Sequence, residues 1–353
     1  MKKFILCLCM FMCLCFPRAL ADNDGDCVYT LLNADGEVLT RRAGRIYAGD
    51  EYISTDDILY RVAFVDDANC SATAEEIGPA IADEAAFSVF LSANAAKKAD
   101  DKKLICMYST HSDESYVPSD GASSLWENAG IYDVGDALKE NLEKKGITVE
   151  YSDKSFLPHD ADAYNRSRAT VEDYVKQAPD AIIDIHRDGV DADEYETEVE
   201  GEDTSMVRLF VGRSNQNAAE NKAFAQRLKA AADKAYPGLI KDIFIGKGNY
   251  NQELYPQAIL LEFGTYEIEK EKAISATEYM ADVIDDVLFG GTASAATGEK
   301  NSNAAKGIGW AIGIAIAASL IYALASSGTL GGAWDKFRRG ASEVSGGMFG
   351  KKK

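Results

Sequence analysis

Three short apolar runs do most to limit what this chain can fold into. They are 104-LICMY-108, 181-AIIDI-185 and 257-QAILL-261. Each has the length and residue types of a strand buried on both faces, which is how strands of a parallel sheet read. Between them the period changes. Ile131, Val134, Leu138 and Leu142 recur at helical spacing and Gly146 ends that helix. Val171, Tyr174 and Val175 mark a second helix ending before Pro179. A third covers about 217–236, with Phe224, Leu228 and Ala231 on one face, and a fourth carries Ile274, Tyr279, Val283 and Val287. Further strands fall at 147–151 and 206–212. Strands alternating with helices imply an α/β fold, a mostly parallel sheet flanked by helices.

The same three runs end on chemistry. The chain has three histidines, and two of them, His111 and His186, stand at the ends of apolar strands. The third run carries Glu262 between Leu261 and Phe263, where an unpaired carboxylate is costly. Open α/β sheets present functional groups at the carboxyl ends of their strands. Two imidazoles and a carboxylate around one ion, with a position open to water, is the ligand pattern of hydrolytic zinc sites. His111 and His186 are therefore the expected imidazole ligands, with Glu262 as general base. For the carboxylate ligand, Glu127 is preferred over Glu114 and Asp113, because its position opening the first helix would set it over the strand ends. His159, Arg166, Arg187, Asn251 and Glu114 are candidate substrate contacts. A serine hydrolase using Ser109 or Ser112 lacks the G-x-S-x-G elbow.

Flanking segments suggest export. Residues 1–21 read as a signal peptide: Lys2-Lys3, an apolar run, then Ala19-Leu20-Ala21. Residues 22–72 read as a small all-β module with an interaction or spacer role, and 73–102 as a linker. The main domain is expected over 103–290, followed by a linker over 291–306. Residues 307–326 form an uncharged run long enough to cross a bilayer, and 327–353 a basic tail. The expected placement is a single-pass membrane protein, its main domain extracytoplasmic and its tail cytoplasmic. Cys27 and Cys70 could pair in an oxidising compartment. With 57 acidic against 37 basic residues, a net charge of −20 speaks against nucleic acid as a partner.

In order along the chain, Thr110 to Gly121, Tyr164-Asn165-Arg166-Ser167-Arg168, 184-DIHRDG-189, 249-NYNQ-252 and 260-LLEFG-264 resemble the stage II sporulation protein P family of zinc amidases. The resemblance runs from about Lys103 to Leu288 and implies a phosphorylase/hydrolase-like fold and an N-acetylmuramoyl-L-alanine amidase dependent on Zn2+. It also implies action on peptidoglycan, with D,D-endopeptidase activity reported for the family and a role in cell-wall remodelling such as sporulation. Aligning the first helix with the broader zinc amidases puts the metal glutamate on Glu127, with His111 and His186 as the other ligands and Glu262 as the late catalytic glutamate. Expected partners are peptidoglycan, the membrane through the C-terminal helix, and a partner cell-wall hydrolase or a divisome or engulfment protein. The competing reading is a non-catalytic cell-wall scaffold on an amidase-like fold.

Overall fold

A computed structural model describes residues 27–80 and 103–290. The signal peptide expected at 1–21, the span at 307–326 and the tail lie outside the described residues. No helix among the described residues is long and apolar enough to cross a membrane.

Among the described residues there are thirteen strands: β1 (Val28–Leu32), β2 (Val38–Ala43), β3 (Glu51–Ile53), β4 (Ile58–Asp66), β5 (Ser71–Pro79), β6 (Leu104–Tyr108), β7 (Thr148–Tyr151), β8 (Ala181–Asp188), β9 (Glu196–Val199), β10 (Glu202–Ser205), β11 (Val207–Gly212), β12 (Ile240–Gly246) and β13 (Ala258–Thr265). The helices are α1 (Val117–Asp120), α2 (Gly130–Lys144), α3 (Ala163–Val175), α4 (Ala218–Ala235) and α5 (Lys270–Phe289). Eleven strands form one sheet in the order β2-β1-β5-β4-β3-β12-β11-β13-β8-β6-β7. From β12 to β7 every pairing is parallel except β11 with β13. The mostly parallel α/β sheet expected from the sequence is therefore present, in its central and C-terminal strands.

Alternation along each strand sorts side chains onto two faces. Ile183, Ile185, Leu209, Ile259 and Leu261 enter one core with α2, α4 and α5. The opposite face carries Asp184, His186, Asp188, Arg208 and Glu262. There α3 covers part of the sheet through Val171 and Tyr174. The N-terminal strands cover another part, where Tyr29, Leu31 and Val62 pack with Phe210, Phe244 and Leu260.

The structure departs from the sequence reading in four places. The N-terminal strands do not stand apart, because β3 pairs antiparallel with β12 and carries the sheet onward. Residues 73–79, expected to begin a linker, continue as β5, whose Ala72 and Ala74 are buried while Glu75 and Glu76 are exposed. The alternation was masked by alanine and glutamate, which have weak strand preference. Strand β12 was not anticipated, because Lys241 and Asp242 interrupt its apolar run. Both are buried and both are paired, Lys241 with Glu194 and Asp242 with Arg208. Finally, the acidic loop after β8 contains the hairpin β9–β10. Cys27 and Cys70 form a disulfide, tying the start of β1 to the start of β5, and Cys106 is buried and free.

Candidate metal centre

Strand β6 ends and the chain turns sharply, the Glu114 N–H donating to the His111 carbonyl at 3.1 Å. That turn sets residues three apart side by side, so Glu114 comes back against His111. Strand β8 delivers His186 to the same point. His111 is 8% exposed, Glu114 3% and His186 4%. The Nδ1 atoms of His111 and His186 lie 3.3 Å and 3.4 Å from Glu114 Oε1. One donor atom from each of the three residues lies within 4.8 Å of the other two. The rings of His111 and His186 stand 4.8 Å apart, nearly perpendicular.

Neighbours fasten each member. Glu114 Oε2 accepts the Arg187 backbone N–H at 3.0 Å, and the Glu114 carbonyl accepts the Ile131 N–H at 3.0 Å. Asp184 accepts both the N–H and the hydroxyl of Thr110, at 2.9 Å and 2.8 Å, and so binds the end of β6 to β8. Its Oδ1 also lies 3.0 Å from His186 Nε2, outside hydrogen-bond alignment. His159 stacks on His111 at 3.8 Å between ring centres and its Nδ1 meets Asp113 Oδ1 at 3.0 Å.

Burial and charge act against each other here. Burial opposes a charged His186, but the Asp184 and Glu114 carboxylates outweigh it and hold the ring well above its ordinary value. Burial and the two neighbouring imidazoles lower His111, with Glu114 opposing. Burial disfavours the Glu114 anion, yet His186, His111 and Arg187 keep it well below the usual carboxylate range.

These residues fit a divalent cation. The Nε2 atoms of His111 and His186 are buried without hydrogen-bond partners, a state that normally calls for an unseen ion or water. Two imidazoles and one carboxylate form the donor set of catalytic zinc sites.

The sequence reading preferred Glu127 as the carboxylate ligand, and the structure corrects it. Glu127 is exposed and lies outside the cluster, three residues before α2 begins at Gly130. Asn128 follows with φ of 55°, so the chain bends before the helix starts. Glu114 occupies the place instead.

Glu262 stands on β13 directly opposite His186 on β8, both side chains on the same face. Its Oε2 accepts from the Tyr195 hydroxyl at 2.9 Å and lies 3.6 Å from Arg208 Nη1. Burial and the Asp188 charge raise its carboxyl to about 7, against the pull of Arg208, Arg42 and the Tyr195 hydrogen bond. A carboxyl at that value exchanges protons readily at neutral pH.

The sequence profile described as Stage II sporulation protein P (SpoIIP) matches residues 64–285, more than half of the 353-residue chain. The chain belongs to the SpoIIP family. It is 33% identical over 220 residues to Stage II sporulation protein P of Bacillus subtilis (strain 168), a match covering 56% of this chain and 55% of that one. The chain thus spans about half the length of the curated relative it matches. Among solved structures it is similar to an N-acetylmuramoyl-L-alanine amidase from Clostridium difficile 630 (14% identity, TM-score 0.36, 54% of this chain and 97% of that one). It is also similar to the amidase Ami1 from Mycobacterium smegmatis (11% identity, TM-score 0.35, 53% and 96%). Likeness at these scores is one of partial backbone course only.

Three candidate substrate contacts of this SpoIIP-family chain are committed within the protein instead. Arg166 holds the His159 loop through the Phe156 and Pro158 carbonyls and Asp160. Arg187 clamps the Glu114 loop through the carbonyls of Ser115 and Ser123, at 3.3 Å and 2.7 Å. Asn251, buried, donates to the Tyr164 carbonyl at 2.9 Å and to Ser167 Oγ at 3.0 Å. Tyr195, Arg208 and Asp184 were missed. The one available signal was a charged residue inside an apolar run, Asp184 in β8 and Arg208 in β11, which must be paired when buried.

Proposed function

We propose that this chain is a peptidoglycan hydrolase that cleaves the amide between N-acetylmuramic acid and the L-alanine of the stem peptide. The observation that carries the reading is the buried His111–Glu114–His186 cluster, two imidazoles closing on one carboxylate, in a chain of the SpoIIP family. His111, Glu114 and His186 would hold zinc, which supplies a Lewis acid for the amide carbonyl and makes water more acidic. Glu262 takes the proton of the attacking water and returns it to the amine as the C–N bond breaks. Tyr195 and Arg208 hold the Glu262 carboxyl in place from the side away from solvent. Asp184 fixes the end of β6 against β8 through Thr110, and so sets His111 beside His186.

The site is placed outside the cytoplasm in this reading, with the chain anchored by residues 307–326. The Cys27–Cys70 disulfide supports that placement, because such bonds persist in oxidising compartments.

The test is a digest of purified sacculi by the zinc-loaded chain, read by mass spectrometry. Release of intact stem peptides from the glycan is expected. Products cut between stem peptides would establish the D,D-endopeptidase instead. Glu262→Gln should keep zinc stoichiometry and lose release of stem peptides; full activity in that variant overturns the assignment of the base.

A further inference from the structure

The N-terminal strand β2 runs across the face of the sheet that carries the site. Thr40 Oγ1 donates to Asp242 Oδ2 at 3.0 Å, the Arg41 carbonyl accepts from Arg208 at 2.9 Å, and the Ala43 N–H donates to Asp188 Oδ1 at 3.1 Å. A Cβ added at Gly189 would lie 2.8 Å from the Ala43 Cβ, so strand and sheet are in close contact. These contacts fix β2 on the face of the sheet that carries the site, while at the start of α3 Tyr164 lies 5.6 Å from His111.

Arg42 stands in β2 between these anchors. Its guanidinium lies 5.1 Å from the Phe210 ring and 5.0 Å from the Phe244 ring. One Nη donates to the Arg45 carbonyl at 2.9 Å, while Nε is buried with no partner. A row of aromatic rings joins Arg42 to the cation cluster: Tyr164 to Tyr250 at 5.3 Å, then Tyr250 to Phe210 at 4.9 Å. Phe210 lies two residues along β11 from Arg208, and Arg208 pairs with Glu262. Arg42 is thus offset from Glu262 by roughly 7 Å along the strand direction, and its charge is felt at the Glu262 carboxyl.

An extended peptide covers that offset in about two residues. A half-buried guanidinium held on two aromatic faces is suited to a carboxylate. We propose that Arg42 is a substrate-binding residue that takes a carboxylate on the stem peptide, about two residues from the scissile amide. The N-terminal strands then contribute to substrate selection as well as to the sheet. This inference rests on the peptidoglycan reading.

Two muramoyl tripeptides test it with the full chain, one with free carboxylates at the second and third stem residues and one with both as carboxamides. Wild-type protein is expected to favour the free acid by about 10- to 100-fold in kcat/KM, mostly through KM. Arg42→Gln should bring that ratio to about one, and Arg42→Lys should restore part of it. Equal handling of both compounds by the wild type, which needs no variant, overturns the proposal. So does full discrimination by Arg42→Gln. If the wild type cleaves neither compound nor sacculi, it is the hydrolase reading that fails. Calorimetric binding of the free-acid compound then still decides on Arg42: weaker binding by Arg42→Gln supports the inference, and unchanged binding sinks it.

Discussion

Replacing Arg208 by methionine would remove one guanidinium and leave its hydrocarbon stem. Arg208 is 0% exposed. It donates to Asp242 at 2.7 Å and 3.0 Å, to Asp188 at 2.6 Å, to Thr40 Oγ1 at 2.7 Å and to the Arg41 carbonyl at 2.9 Å. Methionine can replace none of these bonds, and Asp242, 0% exposed, keeps only the Thr40 hydroxyl among them. Removing one partner of a buried pair costs about 3–5 kcal/mol. For a domain of this size each kcal/mol lowers Tm by about 2–4 °C, so a fall of about 6–20 °C is expected. The pH dependence has a definite sign. In the wild type, burial pushes the Asp242 carboxyl up but Arg208 outweighs it and holds it below the usual range. That contribution is present above the unfolded-state value and is lost as pH falls through the folded one. In Arg208→Met burial acts alone, the Asp242 carboxyl rises, and the variant loses stability as pH increases. The gap between the two proteins should therefore be widest near about pH 8 and narrow near about pH 4.5. Thermal unfolding of both proteins at the two pH values measures it. A shift under about 2 °C at the higher pH, or the same shift at both, would refute the view that Arg208 neutralises buried carboxylates.

Other consequences can be measured directly. Glu114→Gln should lower zinc affinity by more than about a hundredfold, beyond the loss expected for a merely orienting neighbour, while Glu127→Gln should leave it unchanged; chelator competition separates the two. Stem-peptide release should rise with pH through about 7, as the Glu262 carboxyl ionises. Tyr195→Phe should move that limb upward, because the lost hydrogen bond favours the ionised form; a limb that stays put would exclude Tyr195 as a support of the base. Replacing Cys27 and Cys70 together by serine opens a link spanning 43 residues, which loop-closure entropy values at about 4 kcal/mol; denaturant unfolding should show most of that loss.

Periodicity is a local property, and what it controls was legible in the sequence. The strands at 104–108, 181–188 and 258–265 and helices α2 to α5 follow from apolar spacing, since a buried run or helical stripe specifies its own element. His111, His186 and Glu262 were legible as well, because each follows or interrupts such a run and the order of elements sends them toward one end of the sheet. The carboxylate of the cluster was not. Glu114 and Glu127 differ only in where an irregular loop turns back, and that is set by bonds to distant residues, the Arg187 N–H and the Ile131 N–H. The roles of Arg166, Arg187 and Asn251 were hidden for a related reason. A polar side chain's partners are chosen by the fold, and all three spend their donors on loop carbonyls or a buried serine. Strand β12 and the close docking of β2 depend on Arg208, which makes buried Asp242 affordable only once β11, β12 and β2 are side by side. The sequence by itself determined which elements form and which residues end them. The tertiary structure decided which charges meet, because desolvation penalises every buried charge that the fold does not pair.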